Sequence, residues 1–152
     1  METRFAAIDE IIALRQEVLI AGTGRDSPYF PGDEDEDTRH AAVFASGQCI
    51  ACATLLLSEW EGERAWQMRG MAVVPQRQRQ GLGRVLIEFI RAELSRQPQT
   101  VGLWCNAREN AAAFYEKVGF TRVSERFLVE GVGPHFRMFL RTAEPPAQDG
   151  PA

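Results

Sequence analysis

The sequence is short of several things, and each shortage removes a class of protein. Its three cysteines, at 49, 52 and 105, are an odd and sparse set for 152 residues. That rules out a disulfide-stapled scaffold and implies a reducing compartment. Cys49-x-x-Cys52 has no second pair and lies inside the apolar run QCIACATLLL, so it reads as core rather than as a metal or redox site, and no metal is expected. No apolar run approaches the ~20 residues of a membrane-spanning helix. The N-terminus is acidic at Glu2 and lacks the uncharged apolar core of a secretory signal. The expectation is a cytoplasmic protein without a membrane partner. Positive charge is in deficit, at net -4, and the Arg77 and Arg79 pair is too small a patch to offset it. A general nucleic-acid binder, which needs a surplus of Lys and Arg on one face, is therefore not expected. No internal repeat is visible.

What remains is a chain 45% hydrophobic and 25% charged, the composition of a globular protein. Its length suits one domain with a continuous core, placed at 1–142 and followed by a tail, 143–152, whose Pro, Gly and Ala content reads as disordered. The organising stretch is Met71 to Gly83, MAVVPQRQRQGLG. A short apolar run leads through Pro75 into a polar loop with glycines at 81 and 83. Leu82, Val85, Leu86, Phe89, Ile90 and Leu94 then follow at the spacing of one helix face and are expected in the core. Strand, loop and helix are read in turn. Both glycines are expected to let the backbone approach a ligand, and the first amides of the helix, lacking intrahelical acceptors, form an anion site. The stretch lacks the third glycine of a dinucleotide fingerprint and the Gly-Lys-Ser/Thr of a nucleotide P-loop.

Around it, Met1 to Ala7 reads as a first strand, and Ile8, Ile11, Ile12, Val18 and Leu19 mark a helix face. Residues 22–38 form a long loop with Tyr29, Phe30 and the acids Asp33, Glu34, Asp35, Glu36 and Asp37. These acids are either a solvated run or a negative rim that attracts a cationic amine. Three antiparallel strands follow, Arg39–Ser46, Gln48–Trp60 and Ala65–Val74, then the helix to about Arg96. A strand over Thr100–Cys105 must be parallel to the preceding one, because a helical crossover joins them. A second helix carries Ala111, Phe114, Tyr115 and Val118 and closes at Gly119, and a last antiparallel pair spans Phe120–Glu130 and His135–Arg141.

The run Gln78-x-x-Gly81-x-Gly83 after a strand resembles the acetyl-coenzyme A pyrophosphate loop of the GNAT N-acetyltransferases. AAFYEKVGF at 112–120 is similar to the signature that ends the fourth helix of that superfamily. WCNAR at 104–108, with the Gly-Pro-His near the end, resembles one subgroup of small bacterial GNATs. The resemblance implies an α/β (α+β) GNAT fold: a mixed, mainly antiparallel sheet of about seven strands, with strands four and five splayed, flanked by about four helices. It implies acetyl-CoA as co-substrate and direct transfer of acetyl to a primary amine through a tetrahedral intermediate. It places the pantetheine arm against Met71, Ala72 and Val73, and the pyrophosphate on Arg79, Gln80, Gly81, Leu82, Gly83 and Arg84. Tyr115 matches the general acid beside the thioester sulfur. The family often has an asparagine seven residues before that tyrosine; here Arg108 stands there, with Asn106 and Asn110 on either side as substitutes. The usual glutamate positions hold Gln67 and Asn106. Relatives commonly pair as homodimers through the last strands.

The chemistry adds one demand. An amine of pKa ~10.4 is neutral in only about one molecule in two thousand at pH 7, so a base or an enclosing site must remove its proton. Candidates are Glu59, Glu61 and Glu63, His135 in the last hairpin, or His40 through water. The amide of Val73 is the expected oxyanion donor. Tyr29, Phe30 and Trp60 are read as an aromatic wall for a cationic acceptor. A non-catalytic acyl-CoA binding or sensing domain is the alternative.

Overall fold

The protein is described from a computed structural model, of which residues 1–97 and 99–143 are used; the expected tail, past Ala143, lies outside them. The chain starts in β1 (Glu2–Ala6) and passes into α1 (Ile8–Arg15). Glu10 folds back onto the Ala7 amide at 2.7 Å, so the acid that suits the helix dipole also ties down the helix start. A wide helical turn over Gln16–Ile20 follows, and then the long loop. β2 (Arg39–Ala45), β3 (Gln48–Trp60) and β4 (Glu63–Val73) form an antiparallel meander. Its turns, Ser46-Gly47 and Glu61-Gly62, have positive φ at both residues, the geometry that matches the twist of paired strands.

After α2 (Leu82–Ser95) the chain forms β5 (Gly102–Arg108), α3 (Ala112–Lys117), β6 (Thr121–Arg122), β7 (Phe127–Val129) and β8 (Gly133–Arg141). The strand order is β1-β2-β3-β4-β5-β8-β6, with β7 also on β8. Every pair is antiparallel except β4–β5, the parallel pair that the helical crossover required. Eight strands stand where about seven were expected. Three α-helices among the described residues stand where about four were, because the stretch before β2 is held by turns rather than by a helix.

Register and alternation assign the two faces of the sheet. Leu55, Trp66, Met68, Leu103, Cys105, Ala107, Met138 and Leu140 share one face, and all are buried. There α2 contributes Leu82, Leu86, Ile87, Ile90 and Leu94, and α3 contributes Tyr115. Val85 does not join this core: it is 40% exposed, and Ile87 takes the buried position. The other face carries Thr54, Gln67, Arg69, Trp104, Asn106, Arg108, His135, Arg137 and Phe139. α1 covers its β3 end, where Arg15 bonds Thr54, while Asn106, Arg108 and Arg137 stay exposed.

Two irregularities shape the middle of the sheet. β4 and β5 pair only at Trp66–Leu103 and Gln67–Trp104, and beyond these they diverge toward Val73 and Arg108. Further along β4, Thr54 faces Arg69 and Cys52 faces Ala72, so Ala53 opposes both Gly70 and Met71: a β-bulge, with Gly70 at φ +65°. An isolated glycine inside a strand was the available signal for this bulge.

Candidate active site

The notch between β4 and β5 opens toward their C-terminal ends. Val74 donates its amide to the Ile50 carbonyl of β3 at 2.9 Å. The amide of Val73, one residue earlier in an extended strand, therefore points to the opposite edge, into the notch. Tyr115 reaches the same notch from α3: its hydroxyl donates to Met71 Sδ at 3.6 Å. The ring is fixed edge-on between Phe114 and Phe120, with centroids 5.2 Å away on each side. Burial, reinforced by nearby Cys105, raises the phenol pKa, so the hydroxyl keeps its proton.

At the mouth of the notch β4 turns through Pro75–Arg77 into the glycine loop. The Gln78 side chain donates to the Val73 carbonyl at 3.1 Å, pinning the loop to the strand end. Gly81 is the N-cap of α2, left-handed at φ +83°, with nothing within 4 Å of where a Cβ would stand. The first intrahelical bond is Val85 to Gly81, and no side chain caps the helix. The amides of Leu82, Gly83 and Arg84 are thus donors without acceptors, with no acid in the first turn and Arg79 and Arg84 exposed beside them. The two glycines have different reasons to be there. A Cβ on Gly83 would lie 2.9 Å from Phe114 Cζ, so the missing side chain there lets α2 pack against α3, while the one missing at Gly81 leaves open space.

The acid run divides. Asp33 is buried and forms a forked pair with Arg15, at 2.6 and 3.2 Å, while Glu34, Asp35, Glu36 and Asp37 are exposed. Arg15 also donates to Thr54 Oγ1 (2.6 Å) and the Pro28 carbonyl (2.9 Å), with its guanidinium over the Phe30 ring. Arg69 bonds the Pro31 carbonyl. Asp33 is therefore no part of a negative rim; it anchors the loop. Burial acts to raise its pKa, but the Arg15 guanidinium and the Phe30 amide outweigh that and hold the carboxyl below its ordinary value. His40 completes the network, Nδ1 on Thr54 Oγ1 at 2.8 Å and Nε2 on the Asp33 carbonyl at 3.1 Å. With both nitrogens engaged, it is not available as a base.

Burial lowers the His40 pKa from 6.5, which fixes the sign of a pH effect. Unfolded chains bind the proton first, so stability is full above pH ~6.5 and falls as pH drops from there toward the depressed folded value. The thermal midpoint should decline between pH 7.5 and 5.5, and His40→Gln should flatten that decline. An identical slope in the variant would assign the effect elsewhere.

Of the other proposed bases, Glu59, Glu61 and Glu63 stand at the β3–β4 turn, about 30 Å along β4 from Val73, too far to act. His135 is placed differently. It pairs in register with Arg108 at the open end of β5, with Nδ1 on the Gly133 carbonyl at 2.9 Å and its ring stacked on Phe127. Trp60 does not join Tyr29 and Phe30: it stacks on Phe139 at 5.1 Å and lies beside Trp104. Phe30 sits under the guanidiniums of Arg15, Arg25 and Arg69. Asn106 Oδ1 accepts from Arg137 Nε at 3.1 Å, while Asn110 lies exposed in the turn before α3. Among the described residues no His, Cys, Asp and Glu cluster could hold a metal, and no helix is long and apolar enough to cross a membrane.

The fold recurs in known proteins. The chain is 27% identical over 151 residues to the uncharacterized N-acetyltransferase YitI of Bacillus subtilis (strain 168), covering 94% of this chain and 99% of that one. An acyl-CoA N-acyltransferase from Pseudomonas aeruginosa superposes with a TM-score of 0.78 at 21% identity, over 92% of this chain and 99% of the other. An aminoglycoside 6'-N-acetyltransferase complexed with coenzyme A superposes at 0.75 and 12% identity, over 96% and 99%. At these identities the two structures speak for the fold alone. Residues 36–122 match the model of the acetyltransferase (GNAT) domain, and the chain, an acyltransferase by that membership, belongs to this family.

Proposed function

We propose that the protein transfers an acetyl group from acetyl-CoA to a primary amine, by direct attack of the amine on the thioester carbonyl. The observation that carries this reading is the Tyr115 hydroxyl in the β4–β5 notch, held 3.6 Å from a sulfur, that of Met71, where a thioester sulfur would offer the same kind of acceptor. The amides of Leu82, Gly83 and Arg84, with Gln80 and the guanidiniums of Arg79 and Arg84, suit a pyrophosphate. The backbone of Met71, Ala72 and Val73, past the last β4–β5 pair, offers the pantetheine arm an unpaired strand edge. The Val73 amide, oriented before reaction, stabilises the oxyanion. His135, through Nε2 and water, takes the amine proton, and Asn110 is freer than Asn106 to touch the donor. Exposed Glu34 to Asp37 attract an ammonium group.

Gly81→Asp tests the donor site. Aspartate is among the residues that tolerate the left-handed conformation best, so the substitution should cost about 1 kcal/mol of stability and leave the protein folded, while its carboxylate would stand beside the free amides and repel pyrophosphate. Affinity for CoA by calorimetry should fall at least about tenfold, equivalent to ~1.4 kcal/mol. Unchanged affinity would sink the assignment of the loop.

A second reading, a non-catalytic acyl-CoA sensor, is favoured by the amides at Gln67 and Asn106, at one or other of which some members of the superfamily carry a glutamate. The two part in one assay: both bind acetyl-CoA, but only the enzyme releases thiol when given a panel of amines.

A further inference from the structure

We infer that the acceptor carries a carboxylate as well as its amine, and that Arg137 binds it; this rests on the acetyl-transfer reading above. Register puts three levels of side chains on the open face of β5 and β8: Arg108 with His135, Asn106 with Arg137, and Trp104 with Phe139. Successive levels are about 7 Å apart. The first lies at the open end of the notch, the second one step below it, and the third is lined by Trp60, stacked on Phe139.

Arg137 is held in place by Trp104 and Asn106. Its guanidinium lies over the Trp104 ring, 4.9 Å from the centroid, and Nε donates to Asn106 Oδ1 at 3.1 Å. Side-chain rotation is thereby limited, and the two terminal nitrogens remain as a planar fork. No carboxylate lies within salt-bridge distance of Arg137 or Arg108 among the described residues, while neighbouring Arg126 is paired with Glu109 at 2.8 Å. Trp104 Nε1 is buried without a hydrogen-bond partner. An oriented arginine fork beside aromatic rings fits a carboxylate attached to an apolar body. An acceptor whose carboxylate sits on that fork while its amine reaches toward the mouth of the notch is an amino acid or the like rather than a polyamine. The acid run on the far side is compatible, because such an acceptor also carries an ammonium group.

The test uses matched amines that differ only by the carboxylate: L-phenylalanine against phenethylamine, and L-lysine against cadaverine. Binding to the protein with saturating CoA is followed by tryptophan fluorescence, a readout that needs no turnover. The expected result is at least tenfold tighter binding of each carboxylate partner, with the difference lost in Arg137→Gln and restored in part by Arg137→Lys. Equal binding of the partners by the native protein, or a preference that survives in Arg137→Gln, overturns the inference. So does a homodimer that Arg137→Gln dissociates without altering the matched comparison, because the face then belongs to a second copy. Thiol release is measured separately on the same pairs. Its absence would count against acetyl transfer and leave the binding comparison intact.

Discussion

Tyr115→Phe is expected to lower the turnover number by about 10- to 1,000-fold, the range of general-acid effects, with CoA affinity nearly unchanged. The substitution keeps the edge-on contacts with Phe114 and Phe120 and deletes only the hydroxyl, so a loss of fold does not explain such a result. The size is bounded by acidity. An ordinary phenol is already a weaker acid than a thiol by roughly 1.5 units, about 2 kcal/mol, and burial weakens Tyr115 further. Full proton transfer to a departing thiolate is therefore uphill, and the contribution proposed for Tyr115 is a hydrogen bond to sulfur as negative charge develops there. A larger rate loss with slower-leaving thioesters, measured by single-turnover kinetics, is the signature. An unchanged turnover number would leave Tyr115 as a packing residue.

The other large effect concerns stability. Asp33→Ala should cost about 3–5 kcal/mol, because it leaves Arg15, wholly buried, with no opposite charge. Against a total of ~5–15 kcal/mol that is a large fraction, and for a domain of this size it lowers the thermal midpoint by roughly 10 °C. The same change strips the Phe30 amide and loosens the loop over β3 and β4. Arg15→Met in that background should recover part of the loss, since it removes the stranded charge. If the single and double variants unfold at one temperature, the loss does not come from a stranded Arg15 charge. The carboxyl's depressed pKa gives this contribution a pH window too: it is present above about 3.9 and lost as pH falls through the folded value.

The parts of this molecule that could be read from sequence are those written in local pattern. The strand-loop-helix around Gly81, the meander and the Tyr115 helix each follow from residues within a few positions of one another. The Arg15, Asp33, Thr54 and His40 network could not be read, because its partners are 18 and 39 residues apart and an arginine or aspartate alone defaults to the surface. Gly83 was misread for the same reason: its constraint, Phe114, arrives from another helix. The failure at Glu59, Glu61 and Glu63 is one of distance, since sequence gives the residue type but not which end of a strand faces the chemistry. Gly70 was legible in principle as a strand glycine, yet only the register shows that it turns β4 through a bulge.

That bulge and the two lone pairs joining β4 to β5 have a mechanical consequence. A sheet stitched at its middle by Trp66–Leu103 and Gln67–Trp104 is two plates on a short hinge: the meander on one side, β5 with β8 on the other. Behind the hinge, α2 and α3 are braced together where Gly83 meets Phe114 and Arg91 holds the Val118 carbonyl at 2.8 Å. The plates are clasped at the back, and at the front, where strand pairing stops, the gap along Met71 and Tyr115 is set by side chains and helices rather than by a backbone ladder.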